Sequence, residues 1–125
     1  MTHSERFLKL VDEISYRIHE ITPEETRQKQ ERGEDILLVD VREDNEWEKG
    51  HVAGAVHIGK GVIERDIEKI APDTGREIIL YCGGGYRSAL AADALQQMGY
   101  TNVKSMSEGW RGWTDRGLPT ESVGS

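Results

Sequence analysis

Apolar and polar positions follow two alternating patterns along the chain: short apolar runs typical of strands, and segments with apolar residues at helical spacing. Short apolar runs such as 36–39 and 78–82 have the length and bounds of buried strands. The segment 4–16, with apolar Phe7 and Ile14, has the spacing of a helix with one apolar face. Strands that alternate with helices predict an α/β fold with a mostly parallel central sheet flanked by helices. The predicted strands are 18–21, 36–41, 55–58, 77–81 and 103–106; the predicted helices are 4–16, 43–49, 62–70, 88–98 and one that runs from a cap at Thr22 to Gly33.

The chain length fits one domain. At 125 residues the chain can bury about two-thirds of its unfolded surface, which is enough for a core without disulfides or metals. We expect an N-terminal amphipathic helix (1–17) packed on or near the domain, the domain itself (18–120) and a frayed tail (121–125). The helix could instead dock a partner or form a dimer. The apolar runs are strand-sized, so the sequence predicts no transmembrane segment.

The charge balance narrows the class of partners. A formal net charge of -7 and a pI near 5.1 argue against general nucleic-acid binding, because no basic stripe is present to neutralise phosphates. His51 and His57 lack a third ligand at metal spacing, so no metal site is predicted. The first six residues lack a basic region followed by an apolar one, which favours a cytoplasmic location; a chain whose signal had been removed would look the same.

Cys82 is the only cysteine, and it stands between the apolar run 78–81 and three glycines. It cannot form an intramolecular disulfide, and no CxxC or CxxxH spacing suggests a metal. One reading is a small buried residue that ends a strand. The glycines favour another, because without Cβ atoms their backbone amides can converge on an anion. With Arg87 and the start of the helix 88–98, this loop favours the thiolate and would hold an anionic substrate in line with the sulfur.

Several spaced motifs resemble those of the rhodanese-like sulfurtransferases. The active loop of that family begins with Cys, has Gly at the fourth position and often a basic residue at the sixth. The similarity covers about 18–119, with Ala53 in place of a usual proline and Glu108 in place of a usual glycine. The matching positions are Cys82, Gly85 and Arg87 in the loop, Asp40 and Arg42 in a strand-ending Asp-x-Arg, the segment 46–55, the opening 21–25, and Gly109, Trp113, Gly117 and Pro119 near the end.

The resemblance implies a rhodanese-like fold and an enzyme of the thiosulfate sulfurtransferase type that needs no cofactor. Cys82 would take a sulfane sulfur from thiosulfate or a small persulfide and hold it as a persulfide. It would then pass the sulfur to a thiophilic acceptor such as cyanide, a thiol or a sulfur-carrier protein. Neither nucleic acid nor membrane is an expected partner. Substrate contacts are expected from the loop residues Gly83, Gly84, Gly85, Tyr86 and Arg87.

Asp40 and Arg42 are predicted to support the site. In an open parallel sheet, ligands bind beyond the carboxyl ends of the strands, and Asp40 and Cys82 both stand there. Asp40 could orient the loop amides or Arg87. Arg42 could pair with Glu46, four residues on. An ordinary structural ion pair is the alternative for each.

Two other functions stay open at this stage. A phosphatase or arsenate reductase of the same fold would use a Cys loop for tetrahedral oxyanions. Such loops resemble Cys, five residues and Arg, whereas four residues separate Cys82 from Arg87. A non-catalytic or sulfur-relay binding module is the other alternative, although the retained cysteine and its full loop speak against an adaptor.

Overall fold

The computed structural model describes residues 3–123. Its elements alternate between helices and short strands along most of the chain. A single 3-10 turn, Lys60–Val62, precedes α4. Within residues 3–123, no helix is both long enough and apolar enough to cross a membrane. The helices are α1 (Glu5–Ser15), α2 (Pro23–Glu31), α3 (Asp44–Lys49), α4 (Ile63–Ile70), α5 (Tyr86–Gln97) and α6 (Gly109–Asp115); the strands are β1 (His19–Ile21), β2 (Ile36–Asp40), β3 (His51–Val52), β4 (Val56–His57), β5 (Glu77–Tyr81), β6 (Val103–Met106) and β7 (Thr120–Glu121).

Five strands form the central sheet, in the order β1-β6-β5-β2-β4. Every pairing in this sheet is parallel, and β5 lies in the middle. The predicted α/β class with a mostly parallel sheet and an additional N-terminal helix is therefore confirmed. In the register of β2 and β5, Asp40 lies opposite Tyr81, so the two strands end side by side. The residues that follow both strands consequently lie at the same edge of the sheet.

The central strand decides which way the thiol points. Side chains alternate between the two faces of a strand. Ile78, Leu80 and Cys82 belong to the core layer that contains residues of α4 and α5, whereas Ile79 and Tyr81 belong to the layer that contains Trp113 of α6. Because Cys82 continues this alternation, its sulfur faces the side of the sheet on which α5 begins.

Helix α1 packs against α5 rather than projecting from the domain. Ser4 caps it, since its hydroxyl oxygen accepts from the Phe7 amide at 3.2 Å. Ile14 is its buried residue. Just after the helix, the Arg17 guanidinium binds both carboxylate oxygens of Asp93 on α5 at 3.0 and 3.1 Å. These contacts fix α1 along one side of α5.

The C-terminal region differs from the expectation. Thr120 and Glu121 form β7, which pairs antiparallel with β3, and a Glu121 carboxylate oxygen accepts from the Gly54 amide at 2.7 Å. The prediction of a frayed tail is therefore wrong at Glu121, while residues 124–125 lie outside the described residues. Helix α6 was not predicted either. The buried Trp113 indole joins α6 to the tail by donating to the Pro119 carbonyl at 2.8 Å.

Candidate functional site

Cys82 ends the central strand and lies against the start of α5. Its sulfur accepts hydrogen bonds from the Gly85 amide at 3.1 Å and from the Ser88 amide at 3.4 Å. Helix α5 begins at Tyr86, two residues earlier than predicted, so Ser88 is its third residue. The first amides of a helix lack partners within the helix and are usually capped by a side-chain oxygen. Here the cysteine sulfur caps one of them.

The loop between the strand and the helix depends on one left-handed residue. Gly85 has φ of 104°, which a residue with a side chain rarely adopts, and this turn directs the chain into α5. The sequence correctly indicated an amide donor from Gly85. The second donor, Ser88, was missed, because the helix was expected to begin there and not two residues earlier.

The Ser88 side chain also holds the loop in place and joins it to β6. Its hydroxyl donates to the Gly85 carbonyl at 3.2 Å and shares a 2.8 Å hydrogen bond with the Ser105 hydroxyl on β6. The Cys82 thiol donates to the same Ser88 oxygen at 3.6 Å. Both serines are buried. The base of the loop is therefore held by a small polar network that joins β5, α5 and β6.

Helix α6 supports the loop from the other side. Its amides donate to the loop carbonyls, from Trp110 to Cys82 at 2.7 Å and from Arg111 to Gly83 at 3.2 Å. Gly109 makes this approach possible: its φ is +50°, and a Cβ there would overlap the Cys82 carbonyl oxygen. The α6 amides therefore fix the loop carbonyls, which leaves the other face of the loop to the pocket.

Two arginines border the pocket above the sulfur, and their charges differ in availability. The Arg87 guanidinium binds both carboxylate oxygens of Glu46 on α3 at 2.8 and 3.2 Å. These hydrogen bonds raise the pKa of Arg87 and hold the pKa of Glu46 below its ordinary value. Arg111 forms no ion pair with any residue in the described part of the chain. Its guanidinium lies over Gly84, 3.7 Å from where a Cβ would stand.

No local pattern in the sequence indicates Arg111. Its position depends on the contact between α6 and the loop, which brings residues almost thirty positions apart along the chain to the same place. The role of Glu46 was also missed, since its partner Arg87 lies on a different element. Both residues line a pocket of about 470 Å³, together with His3, Phe7, Cys82, Gly84, Tyr86 and Arg87.

Asp40 and Arg42 bind each other instead of the residues proposed from the sequence. The buried Asp40 carboxylate accepts from the Arg42 side chain at 2.7 and 3.0 Å and from the Arg42 amide at 2.9 Å. Burial acts to lower the pKa of Arg42, but the hydrogen bonds and the charge of Asp40 outweigh it and leave that pKa raised. The structure therefore shows the structural ion pair that was the alternative for both residues, and the Asp40 carboxylate forms no hydrogen bond to Arg87 among the described residues.

The expected pairing of Arg42 with Glu46 is wrong for a geometric reason. Residues four apart meet on a helix, but α3 begins only at Asp44, so Arg42 lies outside it. The Arg42 guanidinium instead donates to the Gly50 carbonyl at 2.6 Å and lies 4.7 Å from the centre of the Trp110 ring. Arg42 thus ties the end of β2 to the residues that follow α3.

Comparison with known proteins finds a family and relatives of this chain. A model of the rhodanese-like domain matches residues 22–116. A sulfurtransferase of Allochromatium vinosum is 33% identical over 102 residues, which cover 82% of this chain and 94% of that protein. A Bacillus subtilis protein named "Putative sulfur carrier protein YrkF" is 35% identical over 99 residues, 79% of this chain and 52% of that protein. The chain thus spans about half the length of this second relative.

Solved structures resemble the fold closely. A protein of unknown function from Rhodopseudomonas palustris, titled a "possible tyrosine phosphatase", superposes with a TM-score of 0.87 at 29% identity and covers 97% of this chain and 98% of that chain. A thiosulfate sulfurtransferase from Pseudomonas aeruginosa has a TM-score of 0.81 at 22% identity, covering 88% of this chain and 21% of that one. At that identity the second likeness concerns the fold alone.

Proposed function

This chain belongs to the rhodanese-like domain family, and on that premise we propose that it is a sulfurtransferase that carries a sulfane sulfur on Cys82. One observation supports the proposal most directly. Cys82 is buried at the lining of the pocket, and its sulfur accepts hydrogen bonds from two backbone amides, Gly85 and Ser88. Amides that point at a sulfur stabilise negative charge on it, both before the reaction and in the adduct.

The proposed donor is thiosulfate or a small persulfide. The Cys82 thiolate attacks the outer sulfur of thiosulfate, a new sulfur–sulfur bond forms, and sulfite leaves with the electron pair of the broken bond. The product is a Cys82 persulfide. A thiophilic acceptor then takes the outer sulfur and returns Cys82 to the thiolate; cyanide serves as an assay acceptor, and a thiol or a sulfur-carrier protein is the proposed physiological one.

We assign the anionic end of the donor to Arg111 and the amides of the loop. Arg87 lies nearer the helix start, but Glu46 already accepts from its guanidinium. Arg111 has no such partner among the described residues and lies over Gly84 at the pocket. An unpaired guanidinium offers several donors to a sulfonate-like group at no cost of breaking an existing pair.

The intact mass of the protein tests the proposal. After incubation with thiosulfate it rises by one sulfur atom, and it falls back when cyanide is added. Because Cys82 is the only cysteine, the variant Cys82→Ser shows no gain and no turnover. A matched control is Ser107→Ala, which changes a hydroxyl near the end of β6 and retains the adduct. Turnover by Cys82→Ser would overturn the proposal.

The mass measurement, combined with an assay of aryl phosphate hydrolysis, distinguishes a phosphatase from a binding module. The short spacing between Cys82 and Arg87 leaves less room for a phosphoryl group on sulfur than a loop with five intervening residues. We therefore expect no hydrolysis of an aryl phosphate beside activity toward thiosulfate. Phosphate release without a sulfur adduct would favour a phosphatase, and neither adduct nor hydrolysis would favour a binding module.

A further inference from the structure

The pocket above Cys82 has two chemically different walls. One wall carries the reactive sulfur and the two guanidinium groups, which suit an anion. An aromatic wall is formed by His3, Phe7 and Tyr86, whose rings contact each other. The volume of about 470 Å³ lies within the range of pockets for whole organic ligands, about 300–1,000 Å³. A thiosulfate ion would fill only the polar side.

The three rings of this aromatic wall contact each other. His3 and Tyr86 are 4.8 Å apart between ring centres and meet edge to face, as do Phe7 and Tyr86 at 5.9 Å. His3 and Phe7 are 5.1 Å apart. Rings at these distances and angles attract each other weakly, and together they present a continuous apolar surface. The wall thus offers a ready place for another ring.

Most of the aromatic wall comes from outside the family domain. Phe7 lies on α1 and His3 just before it, whereas the family model matches residues 22–116. The wall is nevertheless held in place, since the salt bridge from Arg17 to Asp93 and the 2.7 Å hydrogen bond from Gln96 to the Arg17 carbonyl fix the end of α1 to α5. The additional helix therefore completes the pocket of this particular chain.

We infer that the pocket selects an organic sulfane-sulfur donor with an anionic head and an aromatic body, of the arenethiosulfonate class. This inference rests on the proposed sulfurtransferase function. The head binds Arg111 and the loop amides, and the aryl ring packs against Phe7 and Tyr86. Thiosulfate has no carbon body to pack against an apolar wall, whereas an aryl ring gains both burial and edge-to-face contact.

The transfer step balances without any further reagent. The Cys82 thiolate attacks the outer sulfur of the arenethiosulfonate and forms a new sulfur–sulfur bond. The bond between the outer sulfur and the sulfonyl sulfur breaks, and its electron pair leaves with the arenesulfinate. The charge is the same on both sides, and no proton is transferred. The sulfonyl sulfur is reduced to the sulfinate level while Cys82 is oxidised to the persulfide.

Two donors with the same reactive head and different bodies test the inference. We expect the wild type to have a higher kcat/KM for benzenethiosulfonate than for methanethiosulfonate, with cyanide as the acceptor. Phe7→Ala lowers the ratio of these two kcat/KM values about tenfold, the value expected for one lost aromatic contact. Leu10→Ala changes an exposed apolar residue of the same helix and leaves the ratio unchanged.

A second variant covers the case in which Phe7→Ala detaches α1 from the domain. Tyr86→Leu alters the wall from α5 and keeps an apolar side chain, so α1 still has a surface to pack on; it lowers the ratio in the same direction. An unchanged ratio in both variants would overturn the inference. If thiosulfate still adds one sulfur to Cys82 in that case, the proposed function stands; if no donor modifies Cys82, the proposed function itself fails.

Discussion

Strands β2 and β5 are neighbours that end side by side, yet the polar groups at their ends differ. Those at β2 are bonded to each other, whereas those at β5 lie beside a pocket. At the end of β2, the charges of Asp40 and Arg42 are buried and bonded to each other and to the Gly50 carbonyl. At the end of β5, Cys82 is buried as well, but it lines a pocket together with Arg111, whose guanidinium pairs with no carboxylate among the described residues. Location at the carboxyl edge of a parallel sheet therefore identifies candidates only. What separates the two ends is the pocket at β5 and the guanidinium of Arg111, which no carboxylate of the described residues occupies.

The largest expected effect breaks the ion pair at the end of β2. Asp40→Ala leaves the buried Arg42 charge without its carboxylate, which costs about 3–5 kcal/mol of unfolding free energy. Urea unfolding measures this loss. Activity per folded molecule stays close to that of the wild type, because the Asp40 carboxylate accepts from Arg42 and forms no hydrogen bond to residues 82–87.

A matched control for this variant is Asp35→Ala. It removes a carboxylate from the exposed pair with Arg76 and costs at most about 1 kcal/mol. A large loss of activity in folded Asp40→Ala would return Asp40 to the functional site and would remove the contrast between the two strand ends.

The next effect concerns the support of the β5 loop by α6. Gly109→Ala places a Cβ onto the Cys82 carbonyl oxygen at a positive φ, so the loop or the helix must move. We expect a loss of about 2–4 kcal/mol in unfolding free energy, together with reduced sulfur transfer. Thermal unfolding and steady-state kinetics measure the two parts.

Gly117→Ala is the control for backbone strain. Gly117 also has a positive φ, +66°, but a Cβ there meets nothing within 4 Å. Its cost is the strain alone, about 1 kcal/mol. Equal effects of the two variants would mean that the close approach of α6 to the loop is unimportant.

Arg111→Gln tests whether the unpaired charge at the β5 end binds the donor. A lost charged hydrogen bond raises the KM for thiosulfate about tenfold, with a smaller change in kcat. Arg32→Gln makes the same charge change before β2, at the opposite edge of the sheet, and leaves the KM unaltered. An unchanged KM in Arg111→Gln would shift the anion contact to Arg87.

Glu46→Gln tests whether pairing withholds Arg87 from the donor. Removing the carboxylate adds one unit of positive charge to the pocket and lowers the KM for thiosulfate about threefold, an effect that weakens as salt is added. The Gln side chain keeps the shape of Glu46, and its amide oxygen can still accept from Arg87. A raised KM would mean that the ion pair positions Arg87 for binding.

The pH dependence of stability offers the smallest effect. Hydrogen bonds from Arg87 lower the pKa of Glu46 in the folded state. Its contribution is therefore fully present above the unfolded pKa of about 4.3 and is lost as the pH falls through the lower folded value. With both side chains about one-third exposed, the contribution is about 0.5 kcal/mol. The stability difference between wild type and Glu46→Gln should be constant from about pH 7 to 5 and shrink below that.

The sequence predicted the parts of the fold that have a strong local pattern. The run 78–81 lies within the central strand, and the Thr22 cap with Pro23 starts α2 as expected. It did not reveal β3 and β7, because strands of two residues have no periodicity and are stabilised by each other across the chain. The same limit applies to α6, a helix of seven residues whose docking depends on Gly109.

The candidate site shows the same division. The Cys82 loop could be identified from its composition and spacing. The other residues that line the pocket could not be identified, because Arg111, Glu46 and Phe7 reach it from three other elements. The i,i+4 rule misplaced Arg42, since it assumes a helix where the chain is still leaving a strand.

The indole of Trp113 provides an optical probe of the C-terminal tail. It is fully buried, and its only described hydrogen bond within residues 3–123 is to the Pro119 carbonyl. If the tail separates from β3, water reaches the ring and its fluorescence emission shifts to longer wavelength. Because the chain has three tryptophans, a variant carrying Trp47→Phe and Trp110→Phe isolates the Trp113 emission, which then reports detachment of the tail without substrate or turnover.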